Sequence, residues 1–207
     1  MTSIAALFVH GIMLMALLLL IFQVRRWKQY WPIPYLVSAV IIVLPIQNWL
    51  LIEFSRGYFS NLSMATLMVC LTYVLTAMRP KVSGETQNID HSFKIFILFL
   101  SVVLFPSSMG AFQYDVFALG FPSEPGFDAL VSGLLLVGLF AWYKGAYQLA
   151  VYVTLVFISY GLGLYESQNI WIYMLDPIVM MIFMVGYLMA ALKMLFIQLK
   201  TRLVNHA

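Results

Sequence analysis

The sequence predicts an all-α fold: a polytopic membrane helix bundle of about seven transmembrane helices, with the N-terminus outside and the C-terminus in the cytoplasm. Three observations predict it. Hydrophobic residues make up 63% of the chain and charged residues only 9%, where soluble domains carry about 45–50% and about 25%, so a water-facing surface cannot be assembled from these residues. Apolar runs of roughly a bilayer's thickness alternate with short polar joints, and they lack the two-residue alternation of an outer-membrane barrel strand, which leaves helices as the spanning form. The Lys and Arg residues gather on one side of that map, the bias that marks the cytoplasmic face.

The first run, 4–24, has no basic residue ahead of it and is followed at once by Arg25, Arg26 and Lys28. A cleaved signal has the opposite charge order and a shorter apolar core, so a retained first helix is expected. The second run, 33–52, carries Pro45, Gln47 and Asn48 near its outer end, a segment that reads as a kink satisfied by neighbouring helices or as the lining of a polar path. The third run, 62–78, leads into the polar connection RPKVSGETQNIDH, and the fourth is 93–112. Tyr143-Lys144-Gly145 separates the fifth run, 127–143, from the sixth, 146–165, a turn so short that the two helices must form an antiparallel pair in contact. The seventh run, 177–199, follows Asp176-Pro177, the expected N-cap and first position of a helix. The whole chain, 1–207, reads as a single transmembrane domain. A faint echo links Pro45-Ile46-Gln47-Asn48-Trp49 with Glu166-Ser167-Gln168-Asn169-Ile170-Trp171, as a three-plus-one-plus-three repeat would leave.

Arg25, Arg26, Lys28, Arg79, Lys81, Lys94, Lys144, Lys193, Lys200 and Arg202 all fall on the inner side, and only Arg56 on the outer. Their place at the ends of apolar runs makes the net charge of +3 a matter of orientation, so no nucleic-acid partner is expected. Glu53, Asp115, Glu124, Asp128, Glu166 and Asp176 lie outside, giving the outer face an acidic character that favours cations or basic partners. The single cysteine, Cys70, sits in an apolar run and offers neither an internal disulfide nor a cysteine cluster.

Two outer loops carry the candidate contacts for a ligand or partner. One, FQYDVFALGFPSEPGFD from Phe112 to Asp128, mixes five aromatics, Tyr114 among them, with Asp115 and Glu124; the other, YESQNIWIYMLDP from Tyr165 to Pro177, holds Glu166 and Trp171. The plainer reading of the first is a short helix at headgroup depth turned back by Pro122 and Pro125. Together the two loops form a candidate cap. Asp176 and Asp128 are explained as first-turn acids of helices and Glu53 as the local ion-pair partner of Arg56. That leaves Asp115, Glu124 and Glu166 free to contact a partner, or, if they converge, to act as acid and base. Gln47 and Asn48 complete the candidates. The intramembrane polar inventory is otherwise thin, with His10 alone on its helix and no midplane charge, against an ion pump. The methionines assigned to the last helix, Met174, Met180, Met181, Met184, Met189 and Met194, read as adaptable packing rather than a metal path. No phosphate loop, nucleophile motif or metal-ligand spacing is present, so no cofactor or metal is expected.

These features point to a non-catalytic accessory or structural subunit of a cell-envelope assembly, multi-pass in the cell inner (plasma) membrane, contacting lipids and a protein partner or a second copy through its acidic aromatic cap. A small transporter or lipid-handling protein is the alternative. An outer-leaflet enzyme using the loop carboxylates on a lipid-linked substrate is the third reading.

Overall fold

The computed structural model describes residues 4–22, 32–46, 49–78 and 89–205, and they are mostly helical. The helices are α1 (Ile4–Ile21), α2 (Pro32–Ile42), α3 (Leu51–Phe59), α4 (Met64–Met78), α5 (His91–Ser108), α6 (Phe127–Tyr143), α7 (Tyr147–Gly161), α8 (Ile170–Met174) and α9 (Pro177–Asn205). Two strands of two residues each, β1 (Pro45–Ile46) and β2 (Trp49–Leu50), pair antiparallel with Pro45 opposite Leu50. Two helices, over His91–Ser108 and Pro177–Gln198, are long and apolar enough to cross a membrane, and five further apolar helices are shorter.

The second apolar run is not one helix. Pro45 cannot donate to a helical carbonyl, and its ring clashes with the carbonyl four residues back. The helix therefore tightens before it: Val43 and Leu44 bond to the carbonyls of Val40 and Ile41 three residues earlier, and α2 ends at Ile42. The chain turns through the β1–β2 hairpin and resumes as α3, on which the Glu53 carboxylate accepts the Leu50 N–H at 3.0 Å. In the fourth run α5 ends at Ser108 rather than at 112, because Gly110 at φ +75° closes it, with Ala111 N–H on the Pro106 carbonyl and Gly110 N–H on that of Ser107.

The α6–α7 pair is as the tight turn requires. Gly145 takes φ +76°, Ala146 N–H bonds the Ala141 carbonyl and Gly145 N–H that of Trp142, the glycine-terminated Schellman end of a helix. The helices then lie against each other, close enough that a Cβ on Gly138 would stand 3.1 Å from Val153. The same pattern at Gly163 (φ +60°) closes α7 at Gly161, four residues short of the apolar run, with Leu164 N–H on the Ser159 carbonyl.

In the first half α1 packs on α2, α3 and α4 through Ala6, Val9, Met13 and Ala16. In the second, α7 packs on α4, α5 and α8, and α9 on α5 and α4. Phe93 near the start of α5 meets the rings of Tyr152 on α7 and Phe183 on α9 edge-on. Exposed apolar side chains ring the bundle, among them Phe8, Leu36, Phe99, Val102, Leu136 and Leu139. The methionines divide: Met174 is fully buried and Met180 half-buried, as packing requires, whereas Met181, Met184, Met189 and Met194 are all more than half exposed.

Candidate functional site

The segment after α7 does not rest on top of the bundle. It turns back into it. Ile170, Trp171, Tyr173, Met174, Leu175 and Asp176 are all buried, and Tyr152, in the second turn of α7, donates its hydroxyl to the Met174 carbonyl at 2.7 Å. α8 and the first residue of α9 therefore lie beside the N-terminal half of α7, and Phe183, two turns into α9, already meets Phe93. Tyrosine hydroxyls hold the descent. Tyr165 donates to the Leu62 carbonyl, Tyr173 lies between the carbonyls of Tyr165 and Ser167 at 3.0 and 3.1 Å, and Tyr160 donates to that of Gln168 at 3.1 Å.

At the bottom of this descent lies Asp176. One carboxylate oxygen, Oδ1, caps α9 by accepting the N–H groups of Ile178 and Val179 at 2.9 and 3.0 Å, the capping role that its position before Pro177 implies. The other, Oδ2, accepts the Ser63 N–H at 2.8 Å, the Ser63 hydroxyl at 2.8 Å and the Thr66 hydroxyl at 2.6 Å. Ser63 is itself the residue before α4. Two helix N-termini, 113 residues apart in sequence, thus share one buried acceptor, where the aligned peptide dipoles of both favour negative charge.

The two loops, 112–128 and 165–177, are joined to each other. Asn169, fully buried, donates Nδ2–H to the Phe117 carbonyl at 3.0 Å and accepts the Trp171 N–H on Oδ1. Trp171 donates its indole N–H to the Val116 carbonyl at 3.1 Å. Gly120 sits where a Cβ would come within 2.1 Å of Asn169 Oδ1 and 2.5 Å of Trp171 Cδ1. The first loop holds only a single 3-10 turn, Ala118–Gly120, rather than the interfacial helix expected of its first half.

The candidate residues divide accordingly. Trp171 is 4% exposed and holds the two loops together, so it is not a surface contact. Asp115 has a local role after all: its Oδ1 accepts the Phe117 N–H at 2.9 Å and the Ser107 hydroxyl at 3.3 Å, a turn-closing arrangement. Glu166, exposed, pairs with Arg56 at 3.8 Å, whereas Glu53 is engaged with the Leu50 N–H, so the local Glu53–Arg56 pair is replaced by one across elements. Tyr114 is 63% exposed and Glu124 partly buried. Asp115 and Glu166 are thus turned to different partners rather than to each other. Gln47 and Asn48 lie outside the described residues.

His10 bonds the Ala6 carbonyl through Nδ1 at 2.8 Å. Its Nε2 is enclosed and, like the buried Ser55 hydroxyl, makes no hydrogen bond among the described residues. Both lie in the region where α1 meets α3. No group of three or more His, Cys, Asp or Glu among the described residues is placed to hold a metal ion. Sequence reasoning identified Asp176 as an N-cap and Asp128 as a first-turn acid but missed Ser63, Thr66, Asn169 and Tyr165. Ser63 before an apolar run carries the cap signal; nothing in the sequence announces that it shares Asp176. Comparison with models of known families, with curated proteins and with solved structures finds no match to this chain.

Proposed function

We propose that this chain is a seven-span protein of the cell inner membrane, N-terminus outside and C-terminus in the cytoplasm, and that it serves as a non-catalytic subunit of a cell-envelope assembly. The exposed apolar ring and the concentration of Lys and Arg at one end support the membrane placement. One observation carries the subunit reading. Below Tyr187, whose hydroxyl meets His91 Nδ1 at 3.1 Å, α9 exposes Leu188, Met189, Leu192, Met194, Leu195 and Phe196 on successive faces, and only Val179 and Phe183 of its Pro177–Gln198 span are buried. A helix inside a finished bundle covers at least one face with neighbours. One that is apolar all round is built to be surrounded, and flexible methionines suit it to an adaptable protein contact. The stitched outer loops offer a second, rigid surface, edged by Tyr114 and the Arg56–Glu166 pair.

The test places a photocrosslinking amino acid at Phe196, with Phe99 on α5 as the lipid-facing control, in cells producing the full chain. The subunit reading expects a discrete protein–protein adduct from position 196 and lipid adducts alone from 99. Lipid adducts alone from both positions would contradict it.

A second reading, a small transporter or lipid-handling protein, is favoured by one arrangement. In each half a helix running outward breaks off, a short helix follows, and a long helix then begins inside the bundle: α2, α3, α4 and α7, α8, α9. Paired interruptions of this kind mark binding sites between transporter repeats. The packing of the halves differs, however, since α4 rests on α1 while α9 rests on α5 and α4, and the place where the two N-termini meet is filled by the protein's own carboxylate. Movement of a solute by the purified protein in liposomes, abolished by Ser63→Ala with the fold retained, would favour this reading over the first.

A further inference from the structure

At the end of the bundle opposite the outer loops, a groove of about 440 Å³ runs between α5, α6 and α7, lined by Ser92, Leu136, Val137, Phe140, Leu149 and Lys144. Its volume lies within the range of sites that hold a small ligand, roughly 300–1,000 Å³. The α6 residues that line it form one stripe from Leu136 to Lys144, about 12 Å along the helix axis. The stripe is apolar throughout its length and ends on one cation. The Lys144 ammonium is folded back along α6, 5.5 Å from the Phe140 ring and 5.7 Å from that of Tyr143, so it stands at the mouth of the groove rather than away from it. Beside it Trp142 and Tyr147 meet edge-on at 5.2 Å, and both are more than half exposed, as aromatics are at headgroup depth. The one described carboxylate residue near this mouth is Asp90, at the start of α5, whose backbone N–H bonds Gln148 on α7.

We propose that this groove holds one acyl chain of an anionic glycerophospholipid, with the lipid's phosphate on Lys144. The groove has the form that such a lipid requires: an apolar channel open to the hydrocarbon, closed at headgroup level by a single ammonium. A zwitterionic lipid fills the channel equally well but brings its own cation to the Lys144 side, so the site discriminates by charge and not by chain. This assignment rests on the membrane placement proposed above.

The experiment is native mass spectrometry of the full chain in mild detergent, supplied with equal amounts of phosphatidylglycerol and phosphatidylcholine of matched chains. The wild type retains one phosphatidylglycerol with a preference of about fivefold, the weight of one lysine near an anionic headgroup. Lys144→Gln removes the preference while leaving a lipid bound. Leu136→Trp, at a position 65% exposed where the larger ring fills the channel without disturbing the core, removes the bound lipid. Inorganic phosphate and glycerol phosphate, added alone at millimolar concentration, leave the melting temperature unchanged. Equal retention of the two lipids by the wild type, a preference that survives either substitution, or stabilisation by phosphate alone overturns the assignment. These failures are distinct from failure of the membrane placement, which a protein soluble and folded without any detergent would reveal.

Discussion

Asp176 is the residue on which the interior depends. Its carboxylate accepts five hydrogen bonds from Ser63, Thr66, Ile178 and Val179 at 6% exposure, so little water is available to replace it. Asp176→Ala leaves all five donors without an acceptor in a buried place, and the expected loss is about 3–5 kcal/mol, the range for stripping one side of a buried charged network. Asp176→Asn is expected to lose about 2 kcal/mol, because an amide keeps one acceptor but turns N–H groups toward donors. Ser63→Ala, which removes one hydroxyl and leaves the Ser63 backbone bond intact, costs about 1 kcal/mol. Thermal unfolding of the detergent-solubilised protein ranks the three, and equal stability of wild type and Asp176→Ala would show that the carboxylate holds nothing together. The sequence makes each cap legible by itself, since Ser63 and Asp176 both precede apolar runs. Their union is not legible, because no local pattern records a contact across 113 positions.

At the scale of elements, what local chemistry decides was readable and what tertiary contact decides was not. The segment 127–143 is α6 to the residue, because Gly126 before it and Lys144-Gly145 after it are strong local stops. The run 33–52 reads as continuous because its hydropathy does not fall at Pro45, although the missing donor ends α2 at Ile42. The loop 165–177 reads as an external cap from its polar residues. Its descent depends on tyrosine hydroxyls reaching carbonyls on other elements, which residue type alone does not specify. The joint between the two outer loops makes a prediction of its own. Gly120→Ala drives a methyl group into Asn169 and Trp171, and the expected cost is about 1–3 kcal/mol, that of overpacking a filled site, together with faster proteolysis between 112 and 126. Gly133→Ala on α6, where a Cβ meets nothing within 4 Å, is the control and should change stability by no more than about 0.5 kcal/mol. Identical protease sensitivity of the two variants would mean that Gly120 does not lock the loops.

The whole molecule combines one end closed by polar contacts with a long helix left exposed at the other. Polar side chains are spent on stitching α8 and the two loops into the bundle; α9 then runs on for a total length of about 43 Å, with its residues 188–198 exposed. Composition and charge placement are read before any packing, since neither depends on tertiary detail, whereas the depth of α8 and the exposure of α9 emerge only once the helices are packed. The central claim is that the chain crosses the membrane several times with its stitched loops outside, and the sequence provides a convenient means of testing it. Its single cysteine, Cys70, is buried, so introduced cysteines report on a quiet background. The measurement is labelling of intact spheroplasts with a membrane-impermeant maleimide, using single replacements at Tyr58, Tyr114, Glu124 and Lys144. The account predicts immediate labelling at Tyr58, Tyr114 and Glu124, and labelling at Lys144 only after the membrane is permeabilised. Labelling of Lys144→Cys in intact spheroplasts, or protection of Glu124→Cys until permeabilisation, would contradict it.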